Sequence, residues 1–364
     1  MNVLHVEAGR NLYGGAQQVL YLLEGLHVRG VRNVLACPRG CALARAAAPF
    51  ARVYEVPMWG DMDVLMALRL YRLMRRERPD IVHLHSRIGA DVMGGIAARL
   101  AGLPVVYSRR QDNPEPAWSV RLKYRLHDRV IAISDGIARV KLAEGLSPQR
   151  LRVVRSVVDA RPYRGVPERA WFRREFGLPE GAHVLAVVAQ LIERKGHLVL
   201  LDALPPLLEE FPALHVLFFG KGPLDARLRE AIRDGGMEGR VRLAGFRADL
   251  PRILPCLDLL VHPAYREGLG VSLLQASAAG VPIVACRAGG IPEAVRDGVN
   301  GLLVAPGDAD ALRAAIGRLL RDPVLARALG DGGRELVAKE FSPDTMVEGN
   351  LAVYHEVLAE KGQR

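Results

Sequence analysis

Aromatic residues are scarce, only 5% of the chain, which argues against the stacking surface that a single-strand nucleic-acid binder needs. Cysteines number four, Cys37, Cys41, Cys256 and Cys286. That is too few for a disulfide framework, and the Cys37/Cys41 pair lacks a second ligand pair at zinc-finger spacing. Free thiols in a reducing cytosol are expected. The opening residues, MNVLHVEAGR, offer neither a basic n-region nor an apolar stretch ending in a small-residue cleavage site, so they read as a first strand, with no export expected. One uncharged window reaches 19 residues, 268–286. It contains Gly268, Gly270, Gln275, Gly280 and Pro282 and reads as a helix, a turn and a strand rather than a membrane span. The first glycine-rich loop, GRNLYGGAQQ at residues 9–18, fits neither G-x-G-x-x-G nor G-x-x-x-x-G-K-[ST], which sets aside the standard dinucleotide and P-loop readings there. No low-complexity tract or short-period repeat is found.

Of the 364 residues, half are hydrophobic and a quarter charged. This supports a large core and about two domains. Charge is unevenly distributed. Residues 1–155 carry 24 Lys and Arg against 13 Asp and Glu, a net of +11, whereas residues 156–364 carry 26 against 27, a net of −1. A basic first half suggests an anionic partner; the plain alternative is a coding bias, since 44 of the 50 basic residues are arginine.

Short apolar runs alternate with helix-length segments along the whole chain. Strands are expected near residues 2–7, 33–37, 53–56, 81–84, 105–108, 130–134 and 152–155, and again near 184–189, 214–219, 241–244, 259–262, 282–285 and 301–304. Such alternation requires crossover connections and mostly parallel sheets. The fold class is therefore α/β, with two doubly wound Rossmann-like domains facing across a cleft lined by the carboxyl ends of both sheets. The expected boundaries are a first domain at 1–155, a linker at 156–167 (SVVDARPYRGVP), a second domain at 168–343 and a terminal helix at 344–364. The linker carries two prolines and a glycine without an amphipathic period.

Several segments offer chemistry at strand ends. Gly14 and Gly15 let the backbone approach an anion at a helix N-terminus, although a purely structural turn uses glycine equally well. Arg194 and Lys195 follow the strand at 184–189 and combine a planar fork with a mobile point charge, suited to two phosphate groups. Lys221, flanked by Gly220 and Gly222, ends the next strand at the same sheet edge. His83 and His85 share one face of a strand, with Leu84 opposite. Asp61-Met62-Asp63 superficially offers a metal-binding D-x-D but reads as helix-capping acid. The segment 64–78, VLMALRLYRLMRRER, could lie on an anionic membrane; the plainer expectation is a surface helix packing Leu65, Leu68 and Leu73 against the sheet. Arg109 and Arg110, at the end of a strand, are candidate contacts for an anionic acceptor.

The stretch HPAYREGLGVSLLQASAAGVPIVACRAGGIPEAV, residues 262–295, places Glu267 before a Gly-x-Gly turn and a helix of small residues. Together with Gly14-Gly15-Ala16, DIVHLHS at 80–86, Arg194-Lys195-Gly196, Gly220-Lys221-Gly222-Pro223, Gly245-Phe246-Arg247 and Gly289-Gly290, it resembles the family 4 retaining glycosyltransferases, in their order and over nearly the whole chain. The resemblance implies the GT-B fold and transfer of a sugar from a nucleotide diphosphate donor to a hydroxyl, with retention and without a divalent ion or other cofactor. It implies catalytic roles for Arg194 and Lys195 on the leaving diphosphate, for Glu267 on the hydroxyls of the donor sugar and for His85 in orienting that sugar. Donor-binding roles fall to Gly14, Gly15, Lys221, Gly222, Arg247, Gly270 and Gln275. The family's second glutamate is replaced by Gln275, which keeps hydrogen bonding but brings no negative charge. The linker's Ser156-Val157-Val158-Asp159 also departs from the family's Asn-Gly-Val-Asp, so no role passes to Ser156.

The expected partners are a nucleotide-sugar donor and an anionic glycan or glycolipid acceptor, such as a lipopolysaccharide core. A peripheral membrane contact is included and nucleic acid is not. The location is cytoplasmic. Two other readings stay open: a nucleotide-sugar epimerase, and a basic non-enzymatic module that binds nucleic acid or membranes.

Overall fold

Runs of Val, Leu and Ile form strands where both faces of a parallel sheet are covered by helices, and for that reason they read as continuous apolar stretches rather than alternating ones. The computed structural model describes residues 1–61, 63–87 and 89–362. Its strands are β1 (Asn2–Val6), β2 (Arg32–Cys37), β3 (Arg52–Glu55), β4 (Ile81–Leu84), β5 (Val105–Arg109), β6 (Arg129–Ala132) and β7 (Leu151–Val153), then β8 (His183–Val188), β9 (Leu214–Phe219), β10 (Val241–Gly245), β11 (Leu259–His262), β12 (Ile283–Cys286) and β13 (Gly301–Val304). Each falls where the sequence places it. They form two wholly parallel sheets, ordered β3-β2-β1-β4-β5-β6-β7 and β10-β9-β8-β11-β12-β13. In both the chain winds outward one way, then returns to the other side of its first strand, so the topological switch points lie between β1 and β4 and between β8 and β11. Ligands bind at the carboxyl end of such a junction.

Two compact units divide at Val157/Val158, and residues 343–364 belong with the first. The expected C-terminal helix spans Pro343–Gly362. It buries Met346, Val347, Val353, Tyr354 and Val357 in a core shared with Leu22 and Leu26. The helix Gly14–Val28 lies so near it that a Cβ on Gly25 would strike Val347. Arg29 adds ion pairs to Asp344 at 3.0 Å and Glu348 at 2.7 Å. Within the expected linker, the Val157 backbone is clamped by the Gln18 side-chain amide, which donates to its carbonyl and accepts from its N–H, both at 2.8 Å.

The segment 64–78 folds as the helix Val64–Glu77, capped by Asp63, whose carboxylate accepts from the Met66 N–H at 3.1 Å. The capping reading of Asp63 holds; Met62 lies outside the described residues. Leu73 packs inward as expected, but Leu65 and Leu68 do not: they are 58% and 44% exposed, and Met66, Leu70 and Met74 take the buried face. All four cysteines are buried and free. Among the described residues no helix is long and apolar enough to cross a membrane.

Candidate active site

Chemistry in the second unit gathers at the carboxyl end of β8 and β11. After β8 the chain makes a tight turn over Glu193–Lys195, and Gly196 follows at φ +68° with its α-carbon against the Pro263 carbonyl, where a Cβ would collide. The Arg194 carbonyl accepts the Tyr265 N–H at 2.9 Å, which ties this turn to the one after β11. The two turns thus bring Lys195 Nζ into an ion pair with Glu267 Oε2. His262, the last residue of β11, meets the same oxygen through Nε2 at 3.0 Å, and the Gly268 N–H donates to Oε1 at 3.1 Å. The Glu267 carbonyl receives the Gly290 N–H at 3.0 Å, and a Cβ on Gly289 would strike that carbonyl. A Cβ on Gly290 would strike the Gly268 carbonyl, so both glycines are small because the Glu267–Gly268 backbone rests on them.

Burial alone would raise the pKa of Glu267, but the His262 hydrogen bond and the Lys195 charge outweigh it and hold the carboxyl below its ordinary range. Burial lowers the pKa of His262. A neutral imidazole beside a carboxylate donates through Nε2–H, which fixes its tautomer. Sequence reasoning missed His262. Its signal was the one used for His85, a histidine at the carboxyl end of a parallel strand.

Other residues expected on this edge are distributed less evenly. Arg194 is half-buried. Lys221, after β9, is exposed and lies 5.5 Å from the centroid of the Phe246 ring. Gly222 has its α-carbon against the Leu191 backbone, where no side chain fits. Arg247, after β10, is already engaged: it forks onto Asp249 at 2.8 and 2.6 Å and pairs with Glu175. It reaches another anion only by giving up a carboxylate. Gly270, at φ +90°, caps the helix Val271–Ala279, which carries the half-buried Gln275.

In the first unit the junction of β1 and β4 is lined by histidines. His5 and His83 are register partners, and His85 follows β4. His5 Nδ1 and His85 Nε2 are 2.9 Å apart; His83 uses Nδ1 on the Tyr354 hydroxyl at 2.6 Å and Nε2 on the Ser108 hydroxyl at 2.8 Å. All three rings are buried, and burial pushes their pKa values down, that of His5 to about 3. They are neutral at physiological pH. Their ligand atoms lie within 4.8 Å of one another, yet both ring nitrogens of His83 are taken by hydroxyls, so the set does not suit a metal ion as it stands. His85 is 1% exposed, and its Nδ1 has no hydrogen-bond partner among the described residues.

Nearby, the helix Gly14–Val28 begins without a side-chain cap or an acidic residue in its first turn. A Cβ on Gly15 would lie 3.5 Å from Arg110 Cδ. Arg110 and the buried Glu7 feel each other's charge. Arg109 is different, and its reading as an acceptor contact fails. Its side chain is wholly buried; its guanidinium donates to the carbonyls of Gln111 and Asn113 at 2.8 Å each and lies 3.4 Å from Glu115.

Residues 13–161 match the model for Glycosyltransferase Family 4, and residues 182–322 match that for Glycosyl transferases group 1. A D-inositol 3-phosphate glycosyltransferase from Salinispora arenicola is 31% identical over 94% of this chain and 81% of its own. The chain is a family 4 glycosyltransferase. A lipopolysaccharide core biosynthesis glycosyltransferase, LpsE of Rhizobium meliloti, is 27% identical over 99% of this chain and all of its own length. Among solved structures, a glycosyltransferase from Rickettsia africae superposes with a TM-score of 0.88 at 19% identity, covering 98% of each chain. Anabaena HepE in complex with UDP-glucose gives 0.86 at 22%, covering 98% of this chain and all of that one. The glycosyltransferase therefore has the GT-B fold expected from its sequence, and membership of the family sets aside the epimerase and the non-enzymatic module.

Proposed function

We propose that this glycosyltransferase moves a sugar from a nucleotide diphosphate sugar to a hydroxyl of an anionic glycolipid or lipopolysaccharide-core acceptor, with retention at the anomeric carbon and without a metal ion, at the cytoplasmic side of a membrane. The carrying observation is the Lys195–Glu267 pair at the β8/β11 junction, steadied by His262. An ionised carboxylate held by a neutral imidazole accepts hydrogen bonds from sugar hydroxyls. As the nucleotide diphosphate departs, charge grows on its phosphates, and Arg194 and Lys195 stabilise it. The exposed Lys221, with Gly222, extends the same edge toward the phosphates, Gly270 opens the helix that carries Gln275, and Gln275 takes the ribose. In this reading the first unit takes the acceptor, Gly14 and Gly15 offer free helix amides, and His85 orients the donor sugar. Arg247 serves the donor only by exchange with Glu175 and Asp249. The LpsE and HepE likenesses support a lipid-linked acceptor and a nucleotide-sugar donor.

Screening nucleotide sugars for thermal stabilisation tests the reading. At a hundredfold excess over Kd a true donor adds about 2.7 kcal/mol. Stabilisation by one nucleotide diphosphate sugar, reduced in Lys195→Met, is expected; no response to any of them would overturn it.

A further inference from the structure

A row of polar side chains crosses the first sheet where apolar ones are expected. Strands of a doubly covered parallel sheet are apolar on both faces, yet Asn33 on β2, His5 on β1, His83 on β4, His85 just past it and Ser108 on β5 are all buried. Register puts them on one face. Asn33 pairs with Val3, His5 with His83 and His83 with Val106, so alternation brings His5, Asn33, His83, His85 and Ser108 to the same side. The helices Gly14–Val28 and Pro343–Gly362 cover that side. His83 is complete, with a hydroxyl at each ring nitrogen. Its ring centroid lies 3.8 Å from that of His85, which it steadies by contact.

Proton positions along Asn33, His5 and His85 follow from groups that have no choice. The Asn33 amide nitrogen lies 3.0 Å from the Leu23 carbonyl and 3.1 Å from that of Phe50. Carbonyls only accept, so this atom is the donor and the side chain cannot be flipped. Asn33 acts on the His5 ring in the sense that favours a proton there, and with its nitrogen committed only Oδ1 is left to do so. Oδ1 and His5 Nε2 are both buried, and neither has another partner among the described residues. His5 therefore carries its proton on Nε2. Burial keeps the ring neutral, so Nδ1 is a bare lone pair. The atom opposite, His85 Nε2 at 2.9 Å, must then be the donor. His85 is neutral as well, its one proton is spent, and its Nδ1 is left as an acceptor. That atom is buried without a hydrogen-bond partner among the described residues. Leaving such an acceptor unmet costs about 1–3 kcal/mol.

We propose that Asn33 and His5 are positioning residues that fix the tautomer of His85 and present its Nδ1 as a hydrogen-bond acceptor to a hydroxyl of the donor sugar. The sugar as occupant rests on the functional reading above; the tautomer does not. An acceptor at this place cannot pair with an ionised carboxylate or a phosphate oxygen, which also only accept. The position is therefore built for a neutral sugar. It disfavours a donor that carries a carboxylate there or lacks the hydroxyl, since either leaves Nδ1 unpaired. Two backbone carbonyls, those of Leu23 and Phe50, thus decide through two side chains which way a hydrogen bond runs at the carboxyl end of β4.

Nitrogen-15 NMR of the histidine rings in the full chain, with no ligand added, reads the tautomer directly. The His85 signals are assigned by their loss in His85→Asn. A protonated Nε2 and a bare Nδ1 are expected in the wild type. In His5→Phe, which cannot accept, a form of His85 protonated on Nδ1 should appear. His5→Gln offers an oxygen to His85 and a nitrogen to Asn33, and should keep the wild-type pattern. A proton on Nδ1 of His85 in the wild type would overturn the inference even if the variants fail to fold, and so would an unchanged tautomer in a folded His5→Phe. With the nucleotide sugar that stabilises the protein, His5→Phe should lower kcat about tenfold and His5→Gln recover most of it. Wild-type turnover by His5→Phe would overturn the sugar contact and leave the tautomer assignment. If the tautomer is as stated but the wild type turns over no nucleotide sugar, the functional reading fails and the relay stands.

Discussion

Replacing Lys195 by methionine keeps the volume of the side chain and removes its charge. The ammonium lies against Glu267, with side chains 9% and 15% exposed, so the carboxylate loses its cation in a place where water replaces it poorly. Removing one partner of a buried pair costs about 3–5 kcal/mol. His262 and the Gly268 N–H still hold Glu267, which brings the expected loss to or just below the bottom of that range, about 2–3 kcal/mol. The loss has a pH signature. Glu267 titrates below its unfolded value of 4.5, and such a group contributes stability that is fully present above the unfolded pKa and lost as pH falls through the folded one. Without Lys195 the folded pKa moves up and this contribution shrinks, so wild type and variant should differ most at neutral pH and converge only as pH falls below the ordinary carboxylate range, through the folded pKa of Glu267. Urea unfolding at neutral and acid pH reads the difference. Turnover should fall about ten- to a thousandfold, since fixed charge on a leaving group contributes a few kcal/mol. A stability difference that is the same at both pH values, or turnover close to that of the wild type, would refute the reasoning.

Other expectations are more local. His262→Phe should lower kcat about tenfold or more while His262→Asn, which can still donate to Glu267, recovers part of it; equal losses would make His262 a packing residue only. Arg109→Met should destabilise the first unit by about 3 kcal/mol and leave the acceptor KM alone, because its guanidinium is internal. Arg110→Ala should do the reverse, raising the acceptor KM about tenfold at low ionic strength with little change in urea midpoint. Activity should persist in EDTA; complete loss, restored by manganese or magnesium, would return attention to His5, His83 and His85.

The strands were legible because doubly covered parallel strands are apolar on both faces, and their glycine-bounded ends marked where Lys195, Lys221 and Glu267 would stand. What was hidden depends on partners far along the chain. Arg109 and Arg110 are identical neighbours at the end of β5, and only the tertiary structure shows that one is consumed by Gln111, Asn113 and Glu115 while the other lies beside Gly15. Arg247 reads as a free cation until Glu175, 72 residues earlier, takes it. The inward turn of Lys123 leaves no trace in the sequence, since it is drawn in by Asp91 and Glu115, which precede it by 32 and 8 residues. Leu65 and Leu68 were assigned to the core by composition, yet the stripe Met66, Leu70, Leu73 and Met74 already fills that face.

The central claim is that the Lys195–Glu267 edge supports retaining transfer from a nucleotide sugar. It is tested most directly by the anomeric configuration of the product, read by NMR with the donor that stabilises the protein. The account predicts a glycoside with the configuration of the donor, formed by the wild type and strongly reduced in Lys195→Met. An inverted glycoside, or an altered sugar still joined to its nucleotide, would contradict it.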